Sequence, residues 1–474
     1  MNSTKTYLLR AAALAAALLA STGSDAGGAA RNGTLIFPNP SGMAATFSTS
    51  GSIDTTNPFF QSLGTNGRSC ASCHQPSDAW SVTPASIQRR FLETLGLDPI
   101  FRTNDGATSP NADVSTVEAR RAAYGMLLSK GLIRVGIGIP AGAEFELADV
   151  DDPYHYASAS ELSLFRRPLP AANLQFLSTV MWDGRETFAD PAGDCIKGTT
   201  KCFAPIAFDL SDQANGATLG HAQAAQALTP AQREAIVRFE TGLFTAQVFD
   251  KRAKDLTANG ARGGPEALSL VDSYFGINDV VSGDYRTGAA FDPAVFRLFD
   301  AWAGASPRAN VSDATAAARR AVARGEALFD HKPIRITGVK GINDDLGVQV
   351  LQGTCSTCHD TPGGGNHSIP APLDIGIADG SRATPDMPLY VLRNKATGER
   401  IATTDPGRAL ITGKWKDIGR FKGPVLRSLA SRPPYFHNGS AADLGAVVDF
   451  YDGRFSIGLT AAERADLVAF LRSL

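Results

Sequence analysis

Side chains that bind transition metals are scarce in this sequence, which has 6 Cys, 7 His and 5 Met among 474 residues. An excess of one charge is also missing, because 45 Lys and Arg residues are balanced by 47 Asp and Glu residues. Without a basic run to neutralise phosphates, the chain is not expected to bind nucleic acid. Its 43% hydrophobic and 19% charged residues are typical of a globular protein of about two or three domains.

The N-terminal segment lacks a hydrophobic run long enough to cross a bilayer. Basic residues precede the apolar run Ala11 to Ala20, and small residues up to Ala26 follow it. This order is typical of a secretory signal peptide. We therefore predict cleavage after Ala26, export to the periplasm and no membrane span after processing. An uncleaved anchor is the alternative, but this run is short for about 30 Å of hydrocarbon.

Four of the six cysteines fall in two Cys-x-x-Cys-His motifs. These are Cys70-Ala71-Ser72-Cys73-His74 and Cys355-Ser356-Thr357-Cys358-His359. In such a motif the thiols bond covalently to a c-type haem and the adjacent His ligates its iron. The sequence thus predicts two covalent haems, with His74 and His359 as proximal ligands. The alternatives are a thioredoxin-like redox pair or a zinc site, and a zinc site would want further Cys or His at ligand spacing.

The two remaining cysteines, Cys195 and Cys202, lie seven positions apart. In an oxidising compartment they are expected to form a disulfide that closes a short loop. Two free thiols or two metal ligands are the alternatives.

The sequence around the two motifs follows one plan twice. Residues 168–185 resemble residues 424–440, because each segment runs from a proline through apolar residues to Asp-Gly or Asn-Gly. Residues 228–232 resemble residues 459–463, and in both a Thr is placed to cap a helix, with Gln or Glu three positions later. Segments that recur in the same order indicate an internal duplication.

The fold class follows from this plan. We predict a mainly α protein of two cytochrome c-like haem domains related by internal duplication, with long loops and insertions. The boundary is expected near residue 310, in a segment rich in Ala, Ser, Pro and Asn. Residues 1–26 would then be the signal peptide, residues 27–310 the N-terminal haem domain and residues 311–474 the C-terminal haem domain.

Three further segments resemble a known family. Residues 417–427 (DIGRFKGPVLR) and 434–439 (PYFHNG) look like the signature of the bacterial dihaem cytochrome c peroxidases. Residues 180–185 (VMWDGR) are similar to that family's Trp-Asp-Gly-Arg element. The resemblance covers most of residues 57–474. The superfamily also contains the dihaem maturase of methylamine dehydrogenase and the rubber oxygenases.

The resemblance implies an activity and its partners. In this family hydrogen peroxide is reduced with electrons from a small redox protein, the N-terminal haem is the reaction site and the C-terminal haem relays electrons. Trp182 is expected to lie between the haems and to couple them; a core Trp at a tight turn is the alternative. A homodimer is compatible with this expectation.

The distal side of the first haem departs from the family pattern. The family has a Gln followed ten residues later by a catalytic Glu, and the matching residues here are Gln213 and Gln223. Gln223 cannot take a proton from peroxide as a carboxylate can. His221, two residues earlier, is suited to acid–base chemistry. Either His221 replaces the missing Glu, or it ligates the iron, or the chain does not use peroxide; a surface loop His is the remaining alternative.

Other candidate iron ligands come from the same resemblance. His155 lies near the position of a displaceable ligand of the first haem. The sixth ligand of the second haem comes fourteen residues after the His of the Tyr-Phe-His-Asn-Gly element, which here is Tyr451. Met387, His437 or a vacant site are the alternatives. Tyr451 and His221 also occupy similar places in the duplicated plan, eight and seven residues before the Leu that opens residues 459–463 and 228–232.

Calcium is a further expectation. Family members bind it between the domains through an Asn side chain and main-chain carbonyls, and Asn173, Arg432 and Pro434 occupy comparable positions. Ordinary loop residues would fit these positions as well.

Two other functions stay open. A maturase- or oxygenase-like member would oxidise an organic or protein substrate, and Gln223 and Tyr451 favour this function. A dihaem electron carrier would have both irons saturated by protein ligands, which His155, His221 and Tyr451 could supply. A high-spin, five-coordinate spectrum would argue against the pure carrier.

Overall fold

The computed structural model describes residues 33–304 and 312–474, so the predicted signal peptide and the predicted boundary at residue 310 lie outside the described residues. The structure is 31% helical with 19% strand, and its strands form several small sheets. The prediction of a mainly α fold is therefore wrong. Residues 42–48 pair with residues 243–250, and residues 145–151 pair with residues 389–394, and local patterns do not reveal such long-range pairing.

The helices are placed on both sides of each Cys-x-x-Cys-His motif. They are α1 (Pro84–Thr94), α2 (Val117–Ala123), α3 (Gly125–Lys130), α4 (Ile206–Gly220), α5 (Pro230–Thr241), α6 (Pro265–Leu268), α7 (Asp300–Ala303), α8 (Asp313–His331), α9 (Ala409–Thr412), α10 (Leu444–Phe455) and α11 (Ala461–Ser473). Within the described ranges, no helix combines the length and the apolar composition that a bilayer crossing requires.

The strands pair only in antiparallel fashion among the described residues. They are β1 (Thr34–Asn39), β2 (Gly42–Ser48), β3 (Ile133–Ile137), β4 (Phe145–Asp151), β5 (Leu162–Arg166), β6 (Ala189–Cys195), β7 (Cys202–Phe203), β8 (Leu243–Asp250), β9 (Lys254–Asp255), β10 (Ile334–Thr337), β11 (Val350–Gly353), β12 (Leu389–Asn394) and β13 (Arg400–Thr403). The sheet orders are β1-β2-β8-β9, β13-β12-β4, β3-β5, β6-β7 and β10-β11.

The four-stranded sheet positions the first motif. Thr46 on β2 lies opposite Thr245 on β8 and accepts a hydrogen bond from Trp80 Nε1 at 2.9 Å. The Trp80 ring packs edge-on against Phe59 and against Phe239 of α5, with centroids 5.9 and 5.7 Å apart. This aromatic cluster fixes the chain segment that follows the first motif.

The core between α8 and α11 positions the second motif. Gly325 on α8 allows close packing, because a Cβ there would lie 2.0 Å from a main-chain oxygen of α11. Phe329 of α8 and Phe470 of α11 meet with ring centroids 5.8 Å apart, and Phe296 packs edge-on against both. Cys355 of the second motif lies against this same core.

Helices α5 and α11 begin with reciprocal capping bonds. The Thr229 hydroxyl accepts a bond from the Gln232 amide at 3.2 Å, and the Gln232 side chain accepts one from the Thr229 amide at 2.9 Å. Thr460 and Glu463 repeat the arrangement at the same two distances. The prediction of these helix starts is confirmed.

Segments far apart in sequence are joined by buried contacts. Strand β4 pairs with β12, which lies more than two hundred positions later. Arg166, at the end of β5, donates to Asp405 at 2.7 and 2.9 Å and forms an ion pair with Asp183. All three side chains are almost fully buried. These contacts tie the Trp-Asp-Gly-Arg turn to the C-terminal part of the chain.

Candidate haem sites

The first motif forms a single 3₁₀ turn, Cys70–Ser72, closed by a hydrogen bond from the Ser69 amide to the Ser72 hydroxyl at 3.0 Å. The following His74 hydrogen-bonds the Trp80 carbonyl through Nδ1 at 2.9 Å. A carbonyl at Nδ1 fixes that nitrogen as the protonated one and leaves Nε2 free to ligate a metal. Burial lowers the pKa of His74 and so favours the neutral ring that iron binds.

The second motif repeats this geometry. Cys355–Thr357 is again a single 3₁₀ turn, and the Thr354 amide donates to the Thr357 hydroxyl at 2.9 Å. His359 hydrogen-bonds the Gly365 carbonyl through Nδ1 at 2.6 Å, six positions on as in the first motif. Burial lowers the pKa of His359 to about 4. Both His side chains are therefore presented as neutral ligands.

Each motif lines its own large cavity. The first cavity is lined by the first motif's Cys70, Cys73 and His74, and the second cavity by the second motif's Cys355, Cys358 and His359. Residues that line both cavities form a shared wall, which consists of Arg167, Pro168, Leu169, Pro170, Trp182, Lys422 and Arg432. The structure thus places the two motifs on opposite sides of one thin partition.

Trp182 is held firmly in the shared wall. Its Nε1 donates to the Arg167 carbonyl at 2.7 Å, and its own carbonyl accepts a bond from the Lys422 amide at 2.9 Å. Its ring meets His437 edge-on at 6.2 Å. Trp182 therefore contacts both cavities, which is the placement that coupling between two cofactors requires.

Buried cations make the cavities suitable for haem. Arg427 lines the first cavity with 1% exposure, and all three of its guanidinium nitrogens lack a partner in the part of the chain that the structure describes. Among the described residues, the Lys422 side chain in the shared wall donates only to the Thr179 carbonyl, at 3.0 Å, and burial lowers its pKa to about 7. A buried cation without a counter-charge is costly. Because haem carries two carboxylate side chains, these residues fit the group and would hold it.

The distal candidate His221 is built into the first cavity. It lies directly after α4 and lines the cavity together with Asp105 and Arg68. Its Nδ1 is hydrogen-bonded to the Asp105 carboxylate, which is in turn bonded to Arg68. Its main-chain carbonyl accepts a hydrogen bond from Asn66 at 2.8 Å. With 39% of its side chain exposed, His221 stands at the mouth of the cavity, within reach of solvent protons.

The charge of Asp105 is stabilised where it lies. Burial alone would raise its pKa, but His221 and Arg68 outweigh burial and lower it. An ionised carboxylate at Nδ1 orients the His221 ring and leaves Nε2 as the nitrogen that exchanges protons.

The two Gln candidates differ in placement. Gln213, on α4, lines the first cavity. Gln223 is exposed, does not line it, and has a left-handed backbone with φ of 54°. Its carbonyl accepts a bond from the Thr65 hydroxyl at 2.8 Å. The chain turns away from the cavity after α4 ends, so the structure brings His221 and Gln213 together without Gln223.

His155 lies on an exposed turn and lines neither cavity. Its amide donates to the Asp152 carbonyl at 3.1 Å, which is a local turn contact. The structure therefore does not bring His155 to the cavity of the first motif.

The candidate iron ligands for the second motif also differ in where they lie. Tyr451 on α10 lines the cavity, and burial raises the pKa of its hydroxyl. His437 lines it too, stacked on Phe421 with ring centroids 4.0 Å apart, and burial lowers its pKa to about 4. Met387 lies instead in a small core with Met126, Leu132 and Phe165 and lines neither cavity. Tyr451 and His437 are thus the two sequence candidates at this cavity.

The three calcium candidates do not form an open set of oxygen ligands. The Asn173 side chain accepts a bond from the Thr245 amide at 2.9 Å and donates to its carbonyl at 3.0 Å. The Arg432 carbonyl accepts a bond from the Arg167 guanidinium at 3.2 Å. Pro434 lines the second cavity. Within residues 33–304 and 312–474, no group of three His, Cys, Asp or Glu side chains could hold a metal ion.

A disulfide joins Cys195 to Cys202 and pairs β6 with β7. The loop that it closes lies away from both cavities, since neither Cys lines either cavity.

Sequence reasoning missed Asp105 and Arg68 because they lie more than a hundred positions from His221. It also missed Glu240 on α5, which lines the first cavity near Cys70. Glu240 is 6% exposed, and its Oε2 has no hydrogen-bond partner among the described residues. A Glu on the apolar side of an amphipathic helix is the signal that could have identified it.

Three buried acids should make stability fall as pH rises. Burial raises the pKa of Glu240 to about 8, of Glu326 to about 7 and of Asp330 to about 8. The folded state then keeps protons that the unfolded state releases above about pH 4 to 5, so raising the pH favours unfolding. We expect each group to lower the free energy of unfolding by up to about 1.4 kcal/mol per pH unit until its folded pKa is reached.

Chemical denaturation at a series of pH values between 5 and 8 measures this slope. Glu240→Gln should flatten it, because the amide does not titrate. An unchanged slope in this variant would contradict the assignment of Glu240 as a protonated buried acid.

Comparisons with known proteins give partial matches, and no family model matches the chain. Cytochrome-c peroxidase IdrP1 of Pseudomonas sp. (strain SCT) is 33% identical over 140 residues, which are 25% of this chain and 36% of the relative. Cytochrome-c peroxidase IdrP2 of Denitromonas iodatirespirans is 33% identical over 136 residues, which are 26% and 36% of the two chains. Cytochrome c peroxidase Ccp of Escherichia coli (strain K12) is 29% identical over 174 residues, which are 35% and 32%.

The chain therefore spans about a third of the length of the curated relatives it matches. A crystal structure of a MauG-like protein associated with microbial copper homeostasis covers 88% of this chain and 87% of its own, at 16% identity and a TM-score of 0.34. The resemblance predicted from the sequence is confirmed by the curated relatives: over about a quarter of its length and at low identity, the chain is similar to cytochrome-c peroxidases.

Proposed function

We propose that this chain is an exported c-type oxidoreductase with one covalent haem at each Cys-x-x-Cys-His motif. It reduces hydrogen peroxide with electrons from a small redox protein. The first cavity is the reaction site, and the second cavity receives and relays the electrons. One observation carries the proposal: His221, oriented by Asp105, lines the same cavity as His74.

A haem bound through the first motif would supply an iron that can bind peroxide and exchange electrons. The remaining chemistry belongs to the side chains of the chain. Because Asp105 holds Nδ1 of His221, the other ring nitrogen can take a proton from peroxide and return it to the departing oxygen. Two protons and two electrons then convert each peroxide into two waters. The exposure of His221 provides the route by which solvent protons arrive.

Gln213 and Arg68 support this acid–base group. Gln213 lines the cavity from α4, where its amide can donate a hydrogen bond to a bound oxygen atom. Arg68 is bonded to Asp105 and to the carbonyls of Pro99 and Ile100, so it fixes the carboxylate against the loop beside the first motif. The Asp105 carboxylate is thus preorganised, since its partner Arg68 is itself held by two main-chain carbonyls.

Electron transfer between the cavities is assigned to the shared wall. Trp182 touches both cavities and is held at both its ring nitrogen and its carbonyl. Its contact with His437 continues this path into the second cavity. Electrons from the donor would enter at the second motif and leave through this wall to the first.

A turnover assay with a reduced c-type cytochrome as donor tests the proposed function. We expect peroxide-dependent oxidation of the donor, with two donor molecules oxidised per peroxide. Absence of donor oxidation by the fully haem-loaded protein, at any peroxide concentration, would contradict peroxide reduction.

A second candidate function has one observation in its favour. Tyr451 lines the second cavity near both cysteines of the motif. The maturase branch of the superfamily has a Tyr ligand at the matching position. A phenolate ligand would favour oxidation of an organic or protein substrate. The turnover assay separates the two functions, because such a member takes the two electrons for each peroxide from its organic or protein substrate and leaves the donor cytochrome reduced.

The electron-carrier alternative needs a protein ligand on the distal side of both irons. One of its candidates, His155, lies outside the first cavity.

The proposed export depends on residues 1–26, and N-terminal sequencing that finds a start near Gly27 would support it.

A further inference from the structure

Arg167 is a buried cation surrounded by main-chain oxygens. It follows β5 directly and is 5% exposed. Its Nη1 donates to the Lys130 carbonyl at 2.9 Å, and its Nη2 donates to the Val82 carbonyl at 2.7 Å and to the Arg432 carbonyl at 3.2 Å. In the described part of the chain it has no ion pair with a carboxylate, so three carbonyl dipoles from three segments balance its charge.

The surroundings of the guanidinium are shaped to receive it. Lys130 ends α3, and the carbonyls at a helix C-terminus carry partial negative charge. Gly131 follows with φ of 64°, and a Cβ there would lie 2.5 Å from Nη1 of Arg167. Any side chain at this position would collide with the guanidinium. The helix end and the glycine together form a pocket for a cation.

This cation contacts one of the three residues predicted to bind calcium. The Arg432 carbonyl, one of the predicted ligands, already accepts a bond from Arg167. Asn173, the predicted side-chain ligand, uses both ends of its amide to bind Thr245 of β8. Calcium takes about six to eight oxygen ligands, and a fixed guanidinium beside them would repel it. The residues present therefore do not fit calcium at this position.

Arg167 also holds the shared wall through its main chain. Its amide donates to the His437 carbonyl at 2.7 Å, and its carbonyl accepts the Trp182 Nε1 bond at 2.7 Å. The guanidinium thus fastens α3 and residue 82, which flank the first motif, to the segment around residue 432. The main chain of the same residue positions the two rings that meet in the wall.

We propose that Arg167 is a built-in cation that performs the joining role of an interdomain calcium ion, so that this chain holds its two cavities together without calcium. The inference does not depend on peroxide as the substrate. The contact between the two cavities should then depend on the Arg167 guanidinium and not on a divalent cation.

Metal analysis and thermal unfolding of the haem-loaded full chain test this proposal. We expect no stoichiometric calcium in the purified protein, and the same melting temperature and haem spectrum in excess EGTA as in millimolar calcium. Arg167→Ala should lower the melting temperature by roughly 5–10 °C, because three buried carbonyls lose their donor. Arg167→Lys should recover part of this loss, since an ammonium keeps the charge without the planar fork.

Arg319 provides the matched control, because it is also buried and donates to the Ala253 carbonyl at 3.0 Å, but it lines neither cavity. Arg319→Ala should lower the melting temperature while leaving the reduction potentials of both haems unchanged. Arg167→Ala should shift the separation between the two potentials. One bound calcium per chain, or loss of stability in EGTA that calcium restores, would overturn the proposal. An Arg167→Ala variant with unchanged melting temperature and potentials would overturn it as well.

Discussion

Replacing His221 by alanine is expected to lower the rate of peroxide reduction by about 10²–10⁴-fold, the usual contribution of a positioned acid–base group. The reason is local: the ring lines the first cavity, and Asp105 leaves only its other nitrogen free to exchange protons. Stopped-flow mixing of the protein with peroxide measures this rate. The spectrum of the haem at the second motif should stay unchanged, because His221 does not line the second cavity.

Two variants control for this experiment. His155→Ala removes a His that lines neither cavity and should react at the wild-type rate. Asp105→Asn keeps the imidazole but removes the charge that orients it, and should give a smaller loss than His221→Ala. If His221 ligates the iron instead, His221→Ala should react faster and change the spectrum of the first haem. If His221→Ala matches the wild type in both rate and spectrum, His221 has no role in the reaction and is an ordinary loop residue.

Removing both thiols of the first motif is expected to abolish peroxide reduction altogether. Cys70→Ala/Cys73→Ala should retain a single haem after denaturation, because only the second motif can still form thioether bonds. The remaining haem, in the second cavity, lacks the His221–Asp105 pair. Turnover with a reduced cytochrome donor should therefore be undetectable.

Removing both thiols of the second motif distinguishes the cavity that reacts with peroxide from the cavity that relays electrons. Cys355→Ala/Cys358→Ala should also retain one haem, and this haem should still change its spectrum on adding peroxide. Sustained oxidation of the donor should be lost, because electrons no longer enter through the second cavity. Cys195→Ser/Cys202→Ser serves as control, since these thiols line neither cavity and both haems should stay attached. Full turnover in the reciprocal variant would contradict the assigned relay.

Local sequence patterns were sufficient for the features that depend on neighbours in the chain. The capping pairs Thr229–Gln232 and Thr460–Glu463 each lie within four residues, so their spacing alone predicts the start of α5 and α11. The turns of the two haem motifs are equally local. Strand β4 is different, because its partner β12 lies more than two hundred positions away. The mainly α prediction could not include such a pairing.

The residues of the candidate site also fall into two groups, those that local spacing identifies and those that it does not. The spacing of His221 from the start of α5 predicted its place on the distal side of the first motif. Its partner Asp105 lies 116 positions earlier, and nothing in the local sequence links the two. Gln223 follows the family spacing by count, but α4 ends at Gly220 and the chain then turns outward. Met387 was a candidate by residue type alone, and the fold buries it in another core.

We expect this chain to carry one covalent haem at each of its two Cys-x-x-Cys-His motifs. The intact mass of the denatured, full-length expressed protein tests it most directly, since only thioether-bound haem survives denaturation. We expect the mass of the polypeptide plus two haems, with one haem on the peptide containing Cys70 and Cys73 and one on the peptide containing Cys355 and Cys358. A mass equal to the polypeptide alone, or to the polypeptide plus one haem, would contradict it.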